Sequence, residues 1–323
     1  MNREGILGNC RWEFDDERCV LTISPIEGTD GMLGEAGEDG WPWCDFSYDI
    51  CGVVIKDGVV ACRDMSGMFK EIRCGSEDFD LSRLDTSHAE NMSEMFGGCD
   101  RIEDLRPVKD WDVSKVSNMG HIFSGCSSLA DISSLSKWNV GKVRDMSHMF
   151  CGCRFSNVLA LRDWDVRNVR DMSYMFWGCV KLADIGPIAG WNTKNIEDMW
   201  RMFHGCRQLA DFSPIEDWYI SDEARYMLIT VKNPGCRIGS SFYSNKKEVR
   251  NAVIQDMLLY MGCASLHELQ DAAAQGLCNF GLNGEFQAKT KDGYDAHWKV
   301  IKILVTDYES LFENGSRNWE IIG

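Results

Sequence analysis

The spacing of large apolar residues divides the middle of the chain into units of about 27 residues. A Met-x-x-Met/Ile-Phe motif recurs there at intervals of 27, 27, 27, 26 and 27 residues. Self-similarity at such a period is typical of stacked repeats, in which no single unit can bury its apolar face alone. The motif begins at Met65, Met92, Met119, Met146, Met172 and Met199.

Other residue classes recur in the same register. An Asp or Asn precedes each motif, and a Gly-Cys pair follows five of the six. Asp and Asn are preferred helix N-caps, and the Gly suits a left-handed C-cap. An apolar-x-Asp-apolar stretch after the Cys predicts a short strand, and a Trp follows it. Each unit is therefore expected to contain a strand, a bend, the Trp, a short helix and a Gly turn.

These repeats resemble the BspA-like leucine-rich-repeat family, in the surface-lipoprotein form known from mycoplasmas and many gut bacteria. The matching stretches are WNVGKVRDMSHMFCGC (138–153) and WDVRNVRDMSYMFWGC (164–179). The resemblance covers about 63–220 and extends more loosely to 10–33 and 53–65. It implies a leucine-rich-repeat solenoid of six coils that contacts other proteins, with no enzymatic activity expected from the repeat.

The flanks predict an α+β protein with three parts. Residues 1–62 alternate apolar and polar positions over 11–24 and 50–60, which predicts a β-rich cap of antiparallel strands around an acidic, Gly-rich loop expected to be mobile. Residues 63–220 form the repeats, and 221–323 a small α+β domain. For that domain we expect a strand at 226–232, helices at 246–261 and 265–276, a hairpin over 278–290 around Asn283-Gly284, and a helix over 295–314.

The net charge of -16 is concentrated in the first fifth of the chain. Residues 1–62 carry 4 cations and 13 carboxylates, whereas 63–220 carry 19 and 24 and 221–323 carry 11 and 13. This acidity favours a basic protein partner and argues against direct nucleic-acid binding. No run of about 18 apolar residues predicts a membrane span. The start, MNREGILGNC, lacks an apolar signal-peptide core, so a cytoplasmic location is expected.

The cysteines and histidines predict no metal site. The sequence has 15 cysteines but no Cys-x-x-Cys pair of the kind that zinc prefers. We expect the Gly-Cys column to consist of small buried side chains with free thiols. His121 and His148 share one variable position of the repeat. No P-loop, GxGxxG motif or Ser-His-Asp order occurs, so no catalytic residue and no cofactor are expected.

An aspartate column follows the Gly-Cys pair and leaves two interpretations open. It is either an acidic strip for a basic partner or a set of carboxylates hydrogen-bonded to the next bend. The column consists of Asp104, Asp131, Asp184 and Asp211.

The favoured hypothesis is a non-enzymatic protein–protein interaction scaffold. One alternative is an intracellular inhibitor of phage or mobile-element type, whose acidic surface mimics nucleic acid and blocks a basic enzyme. A second is an enzyme or effector activity in 221–323. The candidate binding residues are the aspartate column, the aromatic anchors Tyr174, Trp177, Trp200 and His204, and the loop carboxylates Glu35, Glu38 and Asp39.

Overall fold

The structure is a computed structural model that describes residues 3–199, 201–209, 211, 213–215 and 218, and five strands between 226 and 302. This described part is β-rich, and its helical segments are short 3₁₀ helices.

The first sheet joins the N-terminal segment to the repeats. It has the order β1-β2-β3-β4-β5. Its strands are β1 (Arg3–Leu7), β2 (Cys10–Asp15), β3 (Val20–Pro25), β4 (Gly52–Ile55) and β5 (Phe79–Asp80).

This sheet changes from antiparallel to parallel at β3. Strands β1 to β3 form an antiparallel meander, whereas β4 pairs in parallel with β3, and β5 with β4. The expectation of antiparallel strands throughout residues 1–62 is therefore wrong for β4. The long connection over 26–51 returns the chain to the end where β3 begins, so β4 runs in the same direction.

Two tryptophans anchor the end of the acidic loop, residues 28–43, to the first repeat. The indole N–H of Trp41 donates to the carbonyl of Ser66 at 2.7 Å, and that of Trp43 donates to the carbonyl of Met68 at 2.7 Å. Both rings are buried, and their centroids are 5.5 Å apart. This end of the loop is therefore anchored, while the mobility expected for the loop stays a prediction.

Successive repeats are joined through their backbones in parallel. Each repeat contributes alternate N–H groups to carbonyls of the next repeat. In the second repeat, the N–H groups of Met92, Glu94 and Phe96 donate to the third repeat, each at 2.9 Å. Single parallel bridges mark the same register: Asp64↔Asn91, Asn91↔Asn118, Asn118↔Asp145, Asp145↔Asp171 and Asp171↔Asp198.

The expected short helix at each Met-x-x-Met-Phe motif is a series of turns instead. The Asp or Asn before the motif caps the N–H two residues later, as in Ser93 N to Asn91 Oδ1 at 3.0 Å. The third motif residue has a positive φ, which breaks the helical hydrogen-bond pattern and frees N–H groups for the next repeat. The residues at this left-handed position are Gly67, Glu94, His121, His148, Tyr174 and Arg201.

The expected strand after each Gly-Cys pair is reduced to isolated bridges, such as Asp104↔Asp131, followed by 3₁₀ helices. The paired segments are too short to form a continuous ladder. The 3₁₀ helices after the Gly-Cys pairs are Arg106–Val108, Ser133–Lys137, Leu159–Leu161, Gly186–Ile188 and Ser213–Ile215, and two earlier ones are Cys44–Asp49 and Ser76–Asp78.

Buried side chains form columns that run through the repeats. The rings of Phe123, Phe150 and Phe176 stack with centroids 5.8 Å apart at each step. Each repeat Trp donates its indole N–H to a carbonyl of the preceding repeat, as Trp164 does to Leu135 at 3.1 Å. Met and Leu side chains complete the core. Aromatic stacking and satisfied indole groups thus hold adjacent repeats together.

The Gly-Cys cysteines lie in this core, as expected. Cys126 is fully buried, and its thiol donates to the carbonyl of Phe96 at 3.2 Å. Burial raises the pKa of the Cys126 thiol, so the thiolate is disfavoured. The same bond to the preceding repeat is made by Cys99, Cys153, Cys179 and Cys206.

The C-terminal strands form a second, antiparallel sheet of order β7-β6-β10-β9-β8. The predicted strand at 226–232 and the hairpin strands are confirmed, but the helix predicted from 295 is wrong over 295–302. There Ala296, Trp298 and Val300 alternate with other residues, which is the period of a strand. The predicted helices at 246–261 and 265–276 lie outside the described residues. The strands are β6 (Tyr226–Lys232), β7 (Gly239–Tyr243), β8 (Cys278–Phe280), β9 (Glu285–Lys289) and β10 (Asp295–Lys302).

Replacing Gly152 by Ala should destabilise the protein by about 1–2 kcal/mol, the cost of a left-handed residue with a side chain. Gly152 has a φ of 78°, and an added Cβ would come no closer than 3.9 Å to its neighbours, so backbone strain is the main cost. Gly190→Ala is the matched control, since a Cβ there meets nothing within 4 Å. It should be neutral or slightly stabilising. Equal urea midpoints for the two variants would contradict the left-handed turn.

Candidate functional site

Three rings stack on the surface of neighbouring repeats. His121 and His148 have centroids 4.1 Å apart with an interplanar angle of 10°, and His148 and Tyr174 follow at 4.4 Å and 11°. All three residues occupy the left-handed position of their repeats and are half-buried. Since successive repeats are in register, flat side chains at this position lie face to face.

A second pair of rings lies three residues after the left-handed residue, in the fifth and sixth repeats. Trp177 is 40% exposed, and its ring lies parallel to that of His204 at 6.5 Å. The backbone N–H of Trp177 donates to the backbone carbonyl of Tyr174 at 2.9 Å, which places the two aromatic residues in one turn. We call His121, His148, Tyr174, Trp177 and His204 the ring surface. The structure thus brings together three of the four predicted anchors, whereas Trp200 lies outside the described residues.

The surroundings of His148 disfavour protonation of its imidazole. Burial lowers the pKa of His148, the nearby His121 lowers it further, and Asp145 acts in the opposite direction. The Nδ1 atom is buried, and no group in the described part of the chain hydrogen-bonds to it. A proton added to this ring would therefore be poorly solvated and close to a second imidazole.

The aspartate column caps the bends that follow it. The carboxylates of Asp104, Asp131 and Asp184 accept hydrogen bonds from the backbone N–H two residues later at 3.0, 2.8 and 2.8 Å. Arg106 also binds both carboxylate oxygens of Asp104 and lowers its pKa. Asp211 is exposed. This geometry agrees with the interpretation that the carboxylates are hydrogen-bonded to the next bend. A binding role for the column stays a prediction.

A cleft of about 500 Å³ separates the acidic loop from the first two repeats. The three predicted loop carboxylates, Glu35, Glu38 and Asp39, line it and are exposed. The repeats add the carboxylates of Asp64, Glu71 and Glu94. We call this feature the acidic cleft.

One cation offsets part of this charge. Lys70 Nζ donates to Glu94 at 2.5 Å, and this bond lowers the pKa of Glu94. Tyr48 donates its hydroxyl to Glu71 at 2.8 Å. Trp41 and Trp43 also line the cleft. The acidic cleft is therefore a surface of predominantly negative charge, suited to a basic group.

The repeats also carry a basic groove that was not predicted from the sequence. A depression of about 390 Å³ is lined by Arg144, Arg170 and Lys194, with Glu197 paired to Arg170. The signal was present, since Arg144 and Arg170 occupy the same position directly before the capping Asp. The repeats are therefore less strongly acidic than the N-terminal part.

Within the described ranges, no group of three or more His, Cys, Asp or Glu side chains is placed to hold a metal ion. Across the same part of the chain, no helix has the length and apolar character needed to cross a membrane.

The repeats match a family model described as "Mycoplasma protein of unknown function, DUF285". The two matches cover residues 63–181 and 130–233, and together they span more than half of the chain. No curated protein matches the chain, and no solved structure does. The match coincides with the repeats and includes the ring surface.

The lowered pKa of His148 predicts an acid sensitivity that can be assigned to one residue. Below about pH 6.5, the unfolded chain binds a proton at this imidazole more readily than the folded one, so stability falls as the pH drops. His148→Asn, which tolerates a positive φ, should lose less stability between pH 7.5 and 5.5 than wild type. The exposed His88→Asn should behave like wild type. Urea unfolding at both pH values measures this, and equal pH dependence in all three proteins would refute the assignment.

Proposed function

We propose that this chain, which belongs to the DUF285 family, is a non-enzymatic scaffold that binds another protein. The family description assigns no activity, so the proposal rests on the surfaces of this chain. The observation that carries it is the ring surface, where Trp177 is 40% exposed beside Tyr174 and His204. Exposed aromatic side chains on a rigid support are the residues that dominate protein interfaces.

The proposed scaffold is a leucine-rich-repeat solenoid of six coils, in the manner of the BspA-like family. Parallel bridges between neighbouring repeats support this proposal, as do the columns of Phe, Trp and Cys side chains. In such a fold each coil contacts only its neighbours, and the surface positions of successive coils form a continuous face. The ring surface is then one strip of that face.

The ring surface is suited to binding because its side chains are already ordered. Stacking at 4.1 and 4.4 Å restricts His121, His148 and Tyr174 before a partner arrives. Binding therefore costs less side-chain entropy than at a surface of freely rotating groups. Trp177 offers a large apolar area and an indole N–H in the same place.

The acidic cleft gives this proposal its electrostatic component. Its loop carboxylates, Glu35, Glu38 and Asp39, are exposed, and the loop that carries them is anchored at one end by two buried indoles. A partner with a basic surface would be attracted to this region over distances of about 10 Å at 0.1 M salt. In this proposal the acidic cleft steers the encounter and the ring surface holds the complex together.

The acidic cleft also favours the alternative of an inhibitor that mimics nucleic acid. Such a mimic needs a negative surface extended enough to follow a nucleic-acid-binding channel. The cations of Arg144, Arg170 and Lys194 interrupt the negative surface on the repeats. We therefore place the interaction scaffold first.

Replacing Trp177 by Ala should remove an interface anchor. Proteins captured from an extract of the source cells by the immobilised full chain would be purified, and their dissociation measured by biolayer interferometry. We expect Trp177→Ala to raise the dissociation rate about 30-fold, which corresponds to a loss of about 2 kcal/mol. The control is Leu159→Ala, an exposed apolar residue (55%) on the repeats that lies outside the ring surface. If both variants bind like wild type, the ring surface is not the binding site.

Neutralising the loop carboxylates should slow association. The triple variant Glu35→Gln, Glu38→Gln, Asp39→Asn is expected to reduce the association rate roughly tenfold in 0.05 M salt, with little change in dissociation, because such charges mainly steer the encounter. The difference should shrink in 0.5 M salt.

The matched control for this variant has the same change in net charge at exposed carboxylates away from the acidic cleft. It is Glu17→Gln, Glu27→Gln, Asp163→Asn. If this control slows association as much as the loop variant, the effect comes from net charge, and the acidic cleft has no specific role.

A further inference from the structure

Two cysteines meet where the first sheet turns parallel. Cys19 directly precedes β3 and Cys51 directly precedes β4, and the next residues, Val20 and Gly52, are paired in the parallel register. The N–H groups of Cys51 and Gly52 donate to the carbonyl of Cys19 at 2.7 and 3.2 Å. Their backbones are thus in direct contact, although the two cysteines are far apart in sequence.

The two side chains also influence each other electrostatically. Partial burial raises the pKa of Cys19, and the neighbouring Cys51 raises it further. The two thiols lie in one polar setting, since the thiol of Cys19 is near the carbonyl of Asp16 and that of Cys51 near the carbonyl of Asp49. The side-chain carboxylates of Asp16 and Asp49 both contact Arg3.

This arrangement suits a disulfide. Paired strands lie about 4.8 Å apart, and disulfides join residues whose Cα atoms are about 4.4–6.8 Å apart. Cys51 is exposed and Cys19 is half-buried, so a reagent can reach the pair from solvent. Both thiols are free in the structure.

We propose that Cys19 and Cys51 are a site of reversible oxidation, which forms an intramolecular disulfide by exchange with a low-molecular-weight disulfide such as glutathione disulfide.

The exchange takes place in two steps. The more exposed Cys51, as the thiolate, attacks one sulfur of the small disulfide. Its S–S bond breaks, one small thiolate leaves and takes up the proton that Cys51 lost, and a mixed disulfide remains. Cys19, after losing its own proton, attacks the Cys51 sulfur and expels the second small thiolate, which is protonated in turn. The two protein thiols lose two electrons and two protons in total, and the small disulfide is reduced to two thiols.

The cross-link would close the segment that contains the acidic loop. Residues 28–43 lie between the two cysteines, and their carboxylates line the acidic cleft. Since a disulfide restricts mainly the unfolded chain, oxidation should stabilise this segment against unfolding. The inference stands apart from the proposed scaffold function, because it requires only the N-terminal sheet.

Other cysteines provide the comparison. Cys44 is exposed, but its thiol contacts Asp39 and Asp45, and no cysteine contributes to its raised pKa. Cys74 is buried, and Cys51 is a minor cause of its raised pKa, after burial and Asp78. A bond between Cys51 and Cys74 is therefore the competing product to exclude.

The full chain would be incubated with glutathione disulfide, its remaining thiols blocked with N-ethylmaleimide, and its peptides mapped by mass spectrometry. We expect a cross-linked peptide pair containing Cys19 and Cys51. Cys19→Ser should leave glutathione attached to Cys51, and Cys44→Ser should still form the bond. Stable glutathione on Cys51 in wild type, or a Cys51–Cys74 peptide pair, would overturn the proposal.

A thermal readout gives a second test that does not depend on peptide recovery. The melting temperature of wild type and of Cys44→Ser should rise on oxidation and return to its starting value after dithiothreitol. Cys19→Ser and Cys51→Ser should show no such rise. A rise that persists in Cys51→Ser would assign the stabilisation to another pair and contradict the site.

Discussion

The hydrogen bonds between the backbones of successive repeats are the interaction on which the rest of the structure depends. Alternate N–H groups around each motif, such as those of Met92, Glu94 and Phe96, donate to the following repeat. This pattern requires a residue with positive φ in each turn, because a regular helix would use the same N–H groups internally. It also keeps the repeats in register, since equivalent positions pair with each other. Units of 26 and 27 residues both keep this register.

The same register produces both the core and the candidate binding surface. Inside, it stacks Phe123 on Phe150; outside, it stacks His121 on His148. The difference lies in exposure. The inner rings are excluded from water, whereas the outer rings are only half-buried. A scaffold that orders its core in this way orders its surface side chains at the same time, which reduces the entropy cost of recognition.

The repeat period and its buried positions were predictable, because Met, Phe, Trp and Cys recur in one register. The local conformation was not. Asp before the motif is an equally good cap for a helix and for the observed turn, and His, Tyr and Arg at the third position gave no sign of positive φ. Gly67 at that position was the available signal. The anchoring of Trp41 and the meeting of Cys19 with Cys51 depend on residues distant in sequence, which a local pattern does not reveal. Of the predicted surface residues, Tyr174 and Trp177 were placed together because they share one turn.

In the proposed solenoid, each coil contacts only its neighbours, and this has a consequence for how such a protein can change over generations. A whole unit duplicated or lost within the gene leaves every remaining unit with an equivalent neighbour, so the core columns continue without a mismatch. Each added unit would lengthen the outer face by about 4.8 Å. The interval between Met146 and Met172 is one residue shorter than the others, and Phe155 packs edge-on against Phe150 and Phe176 in that unit, so the register tolerates units of 26 and 27 residues. Length and surface chemistry can therefore diversify separately, by recombination in one case and by single substitutions in the other.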